Sequence, residues 1–224
     1  MRAAVSRRAE TIAREPTIKI AIIGAGNVGR TLGTAWSAGH DVTFGVRNPG
    51  DPKYGDLGIP AATNAVAADG SDVVVLCTPW QNTRAALEEC GDLSGTVLMD
   101  CTNPLTPDLT ALTVGHTTSG AEQIGGWAPG ARVCKAMNQI GAPLMDRPRL
   151  PGAPVMFLCG DDGAKAACAG LVSELGFETV DAGDLAVARL LEPYGLLWIH
   201  LALRRGLGPN FAFGLLRKSA EQEA

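Results

Sequence analysis

Short apolar runs alternate along this chain with segments in which apolar residues recur at helical spacing. The runs at residues 18–23, 41–46, 72–77 and 96–100 have the length of strands, and the run at 72–77 is almost continuously apolar, as in a parallel strand covered on both faces. This alternation predicts an α/β fold, a Rossmann-type, doubly wound and mostly parallel sheet. Further strands are predicted at 132–136, 154–159 and 177–180, and helices from the glycines that follow residue 23 to about 38 and at 61–69, 81–90, 119–124 and 161–175.

The pattern changes at residue 184. A largely apolar helix is predicted from there to about Arg205, followed by a Gly-Leu-Gly-Pro break and a second short helix from Phe211. Residues 184–224 are therefore predicted to form a small C-terminal helical appendage, which covers the cleft at the strand ends, forms a subunit interface, or does both. Residues 1–17 are predicted to be a flexible N-terminal extension.

Composition excludes several classes of partner. The net charge of −4 provides no basic field for nucleic acid, and no apolar run approaches the roughly 20 residues that span a membrane. The six cysteines form no Cys-x-x-Cys pair, and no histidine stands at metal-ligand spacing. We therefore expect free thiols, no metal and a cytoplasmic location. Residues 2–14 contain four arginines but no apolar segment, unlike a secretory signal peptide.

A Gly-x-Gly-x-x-Gly turn lies between the first predicted strand and the helix that follows it. Such a turn holds a pyrophosphate: Gly24 allows the tight bend, Gly26 lets the backbone approach the phosphates, and Gly29 lets helix and strand pack closely. We predict a dinucleotide site here, the alternative being a tight turn without a ligand. The predicted cofactor-binding residues of the turn are Gly24, Ala25, Gly26, Asn27, Val28 and Gly29.

The end of the second predicted strand selects between the two nicotinamide cofactors. NAD sites place a carboxylate there to bind the ribose 2′-hydroxyl, whereas this chain has Val46, Arg47 and Asn48. Because a guanidinium pairs with a phosphate, and Asn48 can add a hydrogen bond, residues 18–183 are predicted to be an NADP-binding Rossmann domain. Lys53 reaches the same phosphate if the loop at 48–58 folds back. The alternative for Arg47 is a solvated loop residue.

Polar and aromatic residues follow three further strands, at the edge where open α/β sheets bind ligands. Thr78, Pro79 and Trp80 follow one strand, Asn103 the next and Asn138 a third. We predict that Trp80 walls the nicotinamide and that the amides of Asn103 and Asn138 contact the cofactor or the substrate. The alternatives are a core aromatic residue and turn formers.

Together these motifs resemble the family of coenzyme F420-dependent NADP oxidoreductases. The resemblance covers nearly all of the chain after residue 17, and its least generic part is Asp181-Ala182-Gly183 followed by Ala188-Arg189 and Glu192. The other segments that carry it are the glycine turn, Gly45-Val46-Arg47, Thr78-Pro79-Trp80, Lys135-Ala136-Met137-Asn138 and Cys159-Gly160-Asp161-Asp162.

The resemblance implies direct hydride transfer between NADPH and the 5-deazaflavin of F420. It places the cofactor phosphates on residues 25–28 and the 2′-phosphate on a Ser-Arg pair. Here that pair is Val46-Arg47, so one hydroxyl contact is missing. It also implies a deazaflavin in the cleft beside the C-terminal helices, and a homodimer formed through those helices.

Other acceptors remain open at this point. Residues 196–203 are bulkier than expected for a deazaflavin enzyme, so the acceptor is alternatively an imine, a ketone, a flavin or a ferric chelate. An imine or ketone requires a proton donor, for which Lys135, Asn138, Tyr194 and His200 are the candidates. We name Asn138 and His200 as the predicted catalytic residues. A third hypothesis is a non-catalytic protein that binds NADP(H) and responds to it.

Overall fold

The computed structural model describes residues 16–218, and within them eight strands form one sheet. Numbered in chain order, the strands lie side by side in the order β3-β2-β1-β4-β5-β6-β7-β8. All neighbouring pairs are parallel except β6 and β7, so the predicted mostly parallel Rossmann sheet is confirmed. The strands are β1 (Lys19–Ile23), β2 (Asp41–Gly45), β3 (Ala61–Ala62), β4 (Val73–Leu76), β5 (Val97–Asp100), β6 (Arg132–Lys135), β7 (Val155–Gly160) and β8 (Glu178–Gly183).

Helices cover both faces of the sheet. They are α1 (Asn27–Trp36), α2 (Asn64–Ala68), α3 (Trp80–Glu88), α4 (Gly120–Trp127), α5 (Asp162–Glu174) and α6 (Ala188–Ile199), which continues as a π-helix over His200–Arg204. Short 3₁₀ helices lie at Pro52–Leu57, Ala142–Leu144 and Leu185–Val187. In the described residues no helix is long and apolar enough to cross a membrane.

The core consists of one layer on each face of the sheet. Alternate residues of a strand point to opposite faces: Ile20 and Ile22 of β1 pack with α1 and α5, whereas Ala21 and Ile23 pack with α2, α3 and α4. The buried indole of Trp36 donates a hydrogen bond to the carbonyl of Leu171 (3.0 Å), which ties α1 to α5. These contacts hold the carboxyl ends of β1, β2, β4 and β5 at one edge.

Two predicted segments before residue 70 differ from the structure. The segment predicted as one helix at 61–69 is the short strand β3 followed by α2, because the backbone of Ala61 and Ala62 pairs with β2 before Thr63 caps the helix. The loop predicted at 48–58 contains the 3₁₀ helix Pro52–Leu57, capped by the Asp51 carboxylate.

The predicted second C-terminal helix is wrong. No helix follows residue 204 in the described chain, and residues 208–218 form an extended strap. Phe211 stacks on Trp198 (5.1 Å between ring centroids) and Phe213 packs on Tyr194 (4.8 Å). A spacing of two between inward-facing aromatic residues is the period of extended chain, not of a helix. The appendage is therefore one helix and a strap, and residues 1–15 of the predicted N-terminal extension lie outside the described residues.

Candidate functional site

The glycine turn has the geometry that a phosphate requires. Gly24 has a φ of +103°, which disfavours other residues, and a Cβ on Gly29 would lie 1.9 Å from the carbonyl oxygen of Gly24. At Gly26 an added Cβ would meet nothing within 4 Å, so open space lies above the turn. Gly26 caps α1 without a side-chain hydrogen bond, which leaves the first amide groups of that helix free for an anion. The turn fits the pyrophosphate of a dinucleotide.

On one side, the turn opens into a cavity of about 730 Å³ that extends to the end of β2. Arg47, Asn48 and Lys53 line it together with Gly24, Ala25 and Gly26. The predicted folding back of the loop is therefore observed, because Arg30 donates from Nε to the carbonyl of Ala25 (2.9 Å) and from Nη2 to that of Lys53 (3.2 Å).

The electrostatics of this cavity suit a phosphate. Arg47 is exposed and forms no ion pair within residues 16–218. Lys53 pairs with Asp51 (2.8 Å), and this hydrogen bond raises the pKa of Lys53, which keeps the ammonium charged. The side chain of Val46 is buried in the core, so it offers no hydroxyl and no polar contact. Three cationic side chains line this cavity, Arg30, Arg47 and Lys53, and the latter two lie at the end of β2 and in the loop after it.

On its other side, the turn borders a smaller cavity of about 370 Å³ at the ends of β4 and β5. The structure brings Asn27, Val28, Trp80 and Asn103 together there, and the two cavities share Gly26, Cys77, Thr78 and Pro79. Trp80 lies against Trp127 with 5.3 Å between ring centroids, so its ring is held at the cavity wall. One continuous track therefore runs from the end of β2, over the glycine turn, to the end of β5.

The smaller cavity is poor in groups that exchange protons. Among the residues the structure describes, its lining contains no carboxylate, lysine, arginine or histidine. Its titratable groups are the thiols of Cys77 and Cys101, and contact with the Cys77 thiol together with burial raises the pKa of Cys101. A general acid for a carbonyl or imine substrate is thus missing from this lining.

Asn138 holds another residue in place instead of facing the cavity. Its buried amide donates to Asn103 Oδ1 (3.0 Å) and to the carbonyl of Leu191 in α6 (2.9 Å), which uses both of its N–H groups. Asn103 in turn donates to the carbonyl of Asn138 (2.8 Å) and lines the cavity. These contacts hold Asn138 against Asn103 and α6, and the catalytic and cofactor-binding roles predicted for Asn138 stay predictions.

Lys135 lies in a buried charge cluster. Its ammonium contacts the carboxylates of Asp100 (2.7 Å) and Glu192 (3.0 Å) and the carbonyl of Thr102 (2.8 Å). Burial opposes its charge, but the two carboxylates outweigh this effect and raise its pKa to about 12. Lys135 is fully buried, so the structure excludes it as a proton donor to substrate.

The same cluster anchors α6, a feature that sequence reasoning missed. Glu192 accepts hydrogen bonds from the backbone N–H groups of Gly120 (2.9 Å) and Ala121 (3.0 Å) at the start of α4. A carboxylate is favoured at this position by the partial positive charge of a helix N-terminus. The available signal is a pair of charged residues, Asp100 and Lys135, each of which follows apolar residues at the end of a strand.

The remaining acid–base candidates lie away from both cavities. His200 is exposed at the end of α6 and lines neither cavity, so nothing in the described chain brings it to the cofactor track. Tyr194 packs between Phe157 and Phe213, and burial raises the pKa of its hydroxyl. The catalytic role predicted for His200 finds no support in this geometry.

Comparison with known proteins gives consistent matches. Residues 19–104 match the family described as coenzyme F420-dependent NADP oxidoreductase. The F420-dependent NADP reductase of Methanothermobacter marburgensis is 30% identical over 214 residues, which cover 84% of this chain and 93% of that protein. The crystal structure of a candidate F420-dependent NADP reductase from Arthrobacter sp. FB24 has a TM-score of 0.81 and 34% identity over 89% of this chain and 100% of that chain.

A more distant neighbour shares the fold alone. A reductive aminase of Aspergillus terreus, solved with NADPH4, cyclohexanone and allyl amine, has a TM-score of 0.63 at 22% identity and covers 85% of this chain and 63% of its own. The methanogen protein, by contrast, matches over almost its full length at 30% identity. By this match the chain belongs to the family of coenzyme F420-dependent NADP oxidoreductases.

Proposed function

We propose that this protein transfers a hydride between NADPH and the deazaflavin coenzyme F420. The observation that carries the proposal is the smaller cavity, which adjoins the glycine turn and has no carboxylate, lysine, arginine or histidine in its described lining. Hydride transfer to a deazaflavin depends on ring geometry and on the exclusion of water, whereas an imine or ketone needs a protein acid.

Each part of the track has a proposed role. The nicotinamide ring of NADPH supplies the hydride. The glycine turn and the start of α1 hold the pyrophosphate, and Arg47 with Lys53 binds the 2′-phosphate. Trp80 and Asn103 shape the smaller cavity where the two rings meet, and Asn138 keeps Asn103 oriented through two hydrogen bonds.

A spectral assay with purified protein separates the three hypotheses. We expect NADPH and F420 to be converted together, with loss of the absorbance of both oxidised F420 and NADPH. Turnover of NADPH only with imines, ketones, flavins or ferric chelates would refute the F420 proposal and support another acceptor. NADPH binding without turnover of any acceptor would leave a non-catalytic NADP(H)-binding protein.

The cofactor preference is tested with Arg47→Ala. Loss of one charge-assisted phosphate contact should weaken NADPH binding by about 1.5–3 kcal/mol, or about 10- to 150-fold, and leave NADH binding nearly unchanged. The measurement is the dissociation constant of each cofactor by fluorescence titration at low salt, where screening is weakest. Arg84→Ala is the matched control, since Arg84 is exposed, pairs with Glu88 and lines neither cavity. If Arg47→Ala weakened NADPH and NADH binding by the same factor, the assignment of Arg47 to the 2′-phosphate would be contradicted.

We propose further that the protein is a homodimer formed through α6. Leu190 and Leu197 are 69% and 48% exposed, and their spacing of seven residues places them on one helix face. Changing both to Glu should convert the dimer to a monomer, measured by light scattering. The control is Leu216→Glu, on the strap, where the side chain is 96% exposed. A wild-type monomer, or a dimer that survives the double change, would refute this interface.

A cytoplasmic location is also proposed. All six cysteines are free thiols, and five of them are buried, which suits a reducing compartment. Cell fractionation tests this, and recovery of the protein outside the cytoplasm would contradict it.

A further inference from the structure

Two cysteines lie side by side at the wall of the smaller cavity. Strands β4 and β5 are parallel, with Leu76 opposite Asp100, so the residues that follow, Cys77 and Cys101, are neighbours too. The N–H of Cys101 donates to the carbonyl of Leu76 (3.1 Å), which continues the ladder beyond that pair. Neighbouring strands lie about 4.8 Å apart, within the roughly 4.4–6.8 Å between Cα atoms that a disulfide spans.

The two side chains point to the same face of the sheet. Alternate residues of a strand share a face, and one core layer contains the alternate residues of both segments, Val73, Val75, Cys77, Val97, Met99 and Cys101. The thiol of Cys77 contacts that of Cys101, and this contact together with burial raises the pKa of Cys101. Both thiols are free, so two sulfur atoms meet here without a bond between them.

The two thiols differ in their exposure. Cys77 is half-buried and lines both cavities, whereas Cys101 is 8% exposed and lines the smaller one. The other four cysteines are buried and, in the described chain, line neither cavity. Because the oxidation of a thiol depends on its exposure, Cys77 is the one that meets a small oxidant, and Cys101 lies behind it as its partner.

We propose that Cys77 and Cys101 are a redox-active pair, which a hydroperoxide converts to a disulfide while the cofactor track is empty. Cys77 lies where the two cavities meet, beside the glycine turn, and a Cβ on Gly24 would lie 3.0 Å from its carbonyl oxygen. A dinucleotide that spans the turn would therefore cover this thiol and slow its oxidation. This second half of the inference rests on the proposed placement of NADP(H). A disulfide that forms in a reducing compartment is typically transient and redox-sensing.

The proposed reaction balances in two steps. Cys77 loses its proton, and its sulfur attacks one oxygen of the hydroperoxide and breaks the O–O bond. The sulfur is oxidised to a sulfenic acid and, with hydrogen peroxide, the leaving oxygen departs as water. The sulfur of Cys101 then attacks that of Cys77, the S–O bond breaks, and the hydroxide takes the proton of Cys101 and leaves as water. Two thiols are oxidised to a disulfide while one peroxide is reduced to two waters.

The test treats the purified, reduced protein with hydrogen peroxide, blocks the remaining thiols with iodoacetamide and maps the peptides by mass spectrometry. Trypsin cleaves after Arg84, between the two cysteines, and an Asp-directed protease cleaves before Asp92, which separates Cys90 from Cys101. We expect two peptides joined through Cys77 and Cys101, which a thiol reductant releases. Absence of this joined pair, with Cys77 left as a thiol or oxidised alone, would overturn the proposal.

Cys134 and Cys168 are the matched control pair. Their thiols also contact each other, but both are fully buried and, within residues 16–218, line neither cavity. They should stay reduced, and their oxidation at the same rate would overturn the selection of one pair by exposure. In Cys101→Ala the sulfenic acid of Cys77 should persist and be captured by dimedone, whereas Cys168→Ala should form the disulfide at the wild-type rate. Failure to capture Cys77 in folded Cys101→Ala would contradict the first step.

Protection by the cofactor separates this proposal from the one beneath it. The binding of NADP⁺, which cannot itself reduce a disulfide, is first measured by quenching of tryptophan fluorescence. At about ten times its dissociation constant, NADP⁺ should slow formation of the disulfide by about tenfold. If NADP⁺ binds and the rate is unchanged, the shielding of Cys77 is overturned. If NADP⁺ does not bind while the disulfide forms, the proposed function fails and the redox-active pair stands.

Discussion

Replacement of Lys135 by Met would place two carboxylates in the core without their cation. Asp100 and Glu192 are as fully buried as Lys135 itself, and both lie within 3.0 Å of its ammonium. Removing one partner of a buried ion pair costs about 3–5 kcal/mol. The carboxylates keep hydrogen bonds from Thr102 and from the start of α4. We therefore expect the free energy of unfolding to fall by about 3 kcal/mol, a large part of the roughly 5–15 kcal/mol that stabilises a domain.

The pH dependence of that loss distinguishes charge from packing. In the wild type the pKa of Lys135 is raised from 10.5 to about 12, so its contribution is complete below pH 10.5, is lost only as the pH rises through 12, and is constant between pH 5 and 8. In Lys135→Met two buried carboxylates would lack a cation, and a fall in pH removes uncompensated negative charge of this kind. The destabilisation should therefore shrink as the pH falls from 8 to 5.

The assay is urea unfolding of wild type and variant at several pH values. Lys165→Met is the matched control: Lys165 also contacts two carboxylates, but those of Asp162 and Asp181 are 97% and 63% exposed. Water solvates them after the change, so this control should lose less stability than Lys135→Met. The assignment of a buried charge cluster would be refuted if Lys135→Met lowered the free energy of unfolding by less than about 1 kcal/mol. It would also be refuted if the decrease did not depend on pH.

Two further predictions concern the glycine turn and the link between α4 and α6. Gly29→Ala should lower the thermal midpoint, because its Cβ would lie 1.9 Å from a backbone oxygen. Gly26→Ala should leave the midpoint unchanged and weaken NADPH binding; a result with the two effects exchanged would contradict the roles assigned to these glycines. The hydrogen bond from Arg189 to Glu122 (2.8 Å) lowers the pKa of Glu122, so its stabilisation is lost as the pH falls through that depressed value. Arg189→Ala should raise this pKa in a carboxyl NMR titration, and an unchanged value would exclude the contact in solution.

The features that could be predicted from sequence are local ones. The glycine turn and Arg47 each follow a strand directly, and the carboxyl ends of parallel strands share one edge, so a strand prediction places these residues together. The position of Lys53 near the same phosphate can be predicted as well, provided that the loop at 48–58 folds back.

The features that could not be predicted depend on partners distant in the chain. Asn138 at a strand end looks like a ligand contact, but α6 supplies the Leu191 carbonyl that uses its amide. Lys135 is a candidate proton donor by its sequence position, but Glu192 of α6, 57 residues further along the chain, pairs with it in the fold. Asn64 lies in a segment predicted as helix, and its hydrogen bond to Glu89 could not be predicted because it forms only in the folded chain.

The strap at residues 208–218 bears on how the chain is synthesised. Its carbonyls accept hydrogen bonds from the Trp198 indole (3.0 Å) and from the N–H of Val155 in β7 (3.0 Å), and its two phenylalanines cover the aromatic face of α6. These residues leave the ribosome after every strand of the sheet. A chain that ended near residue 205 would lack this cover and expose Tyr194 and Trp198, although every residue that lines the cofactor track precedes that point.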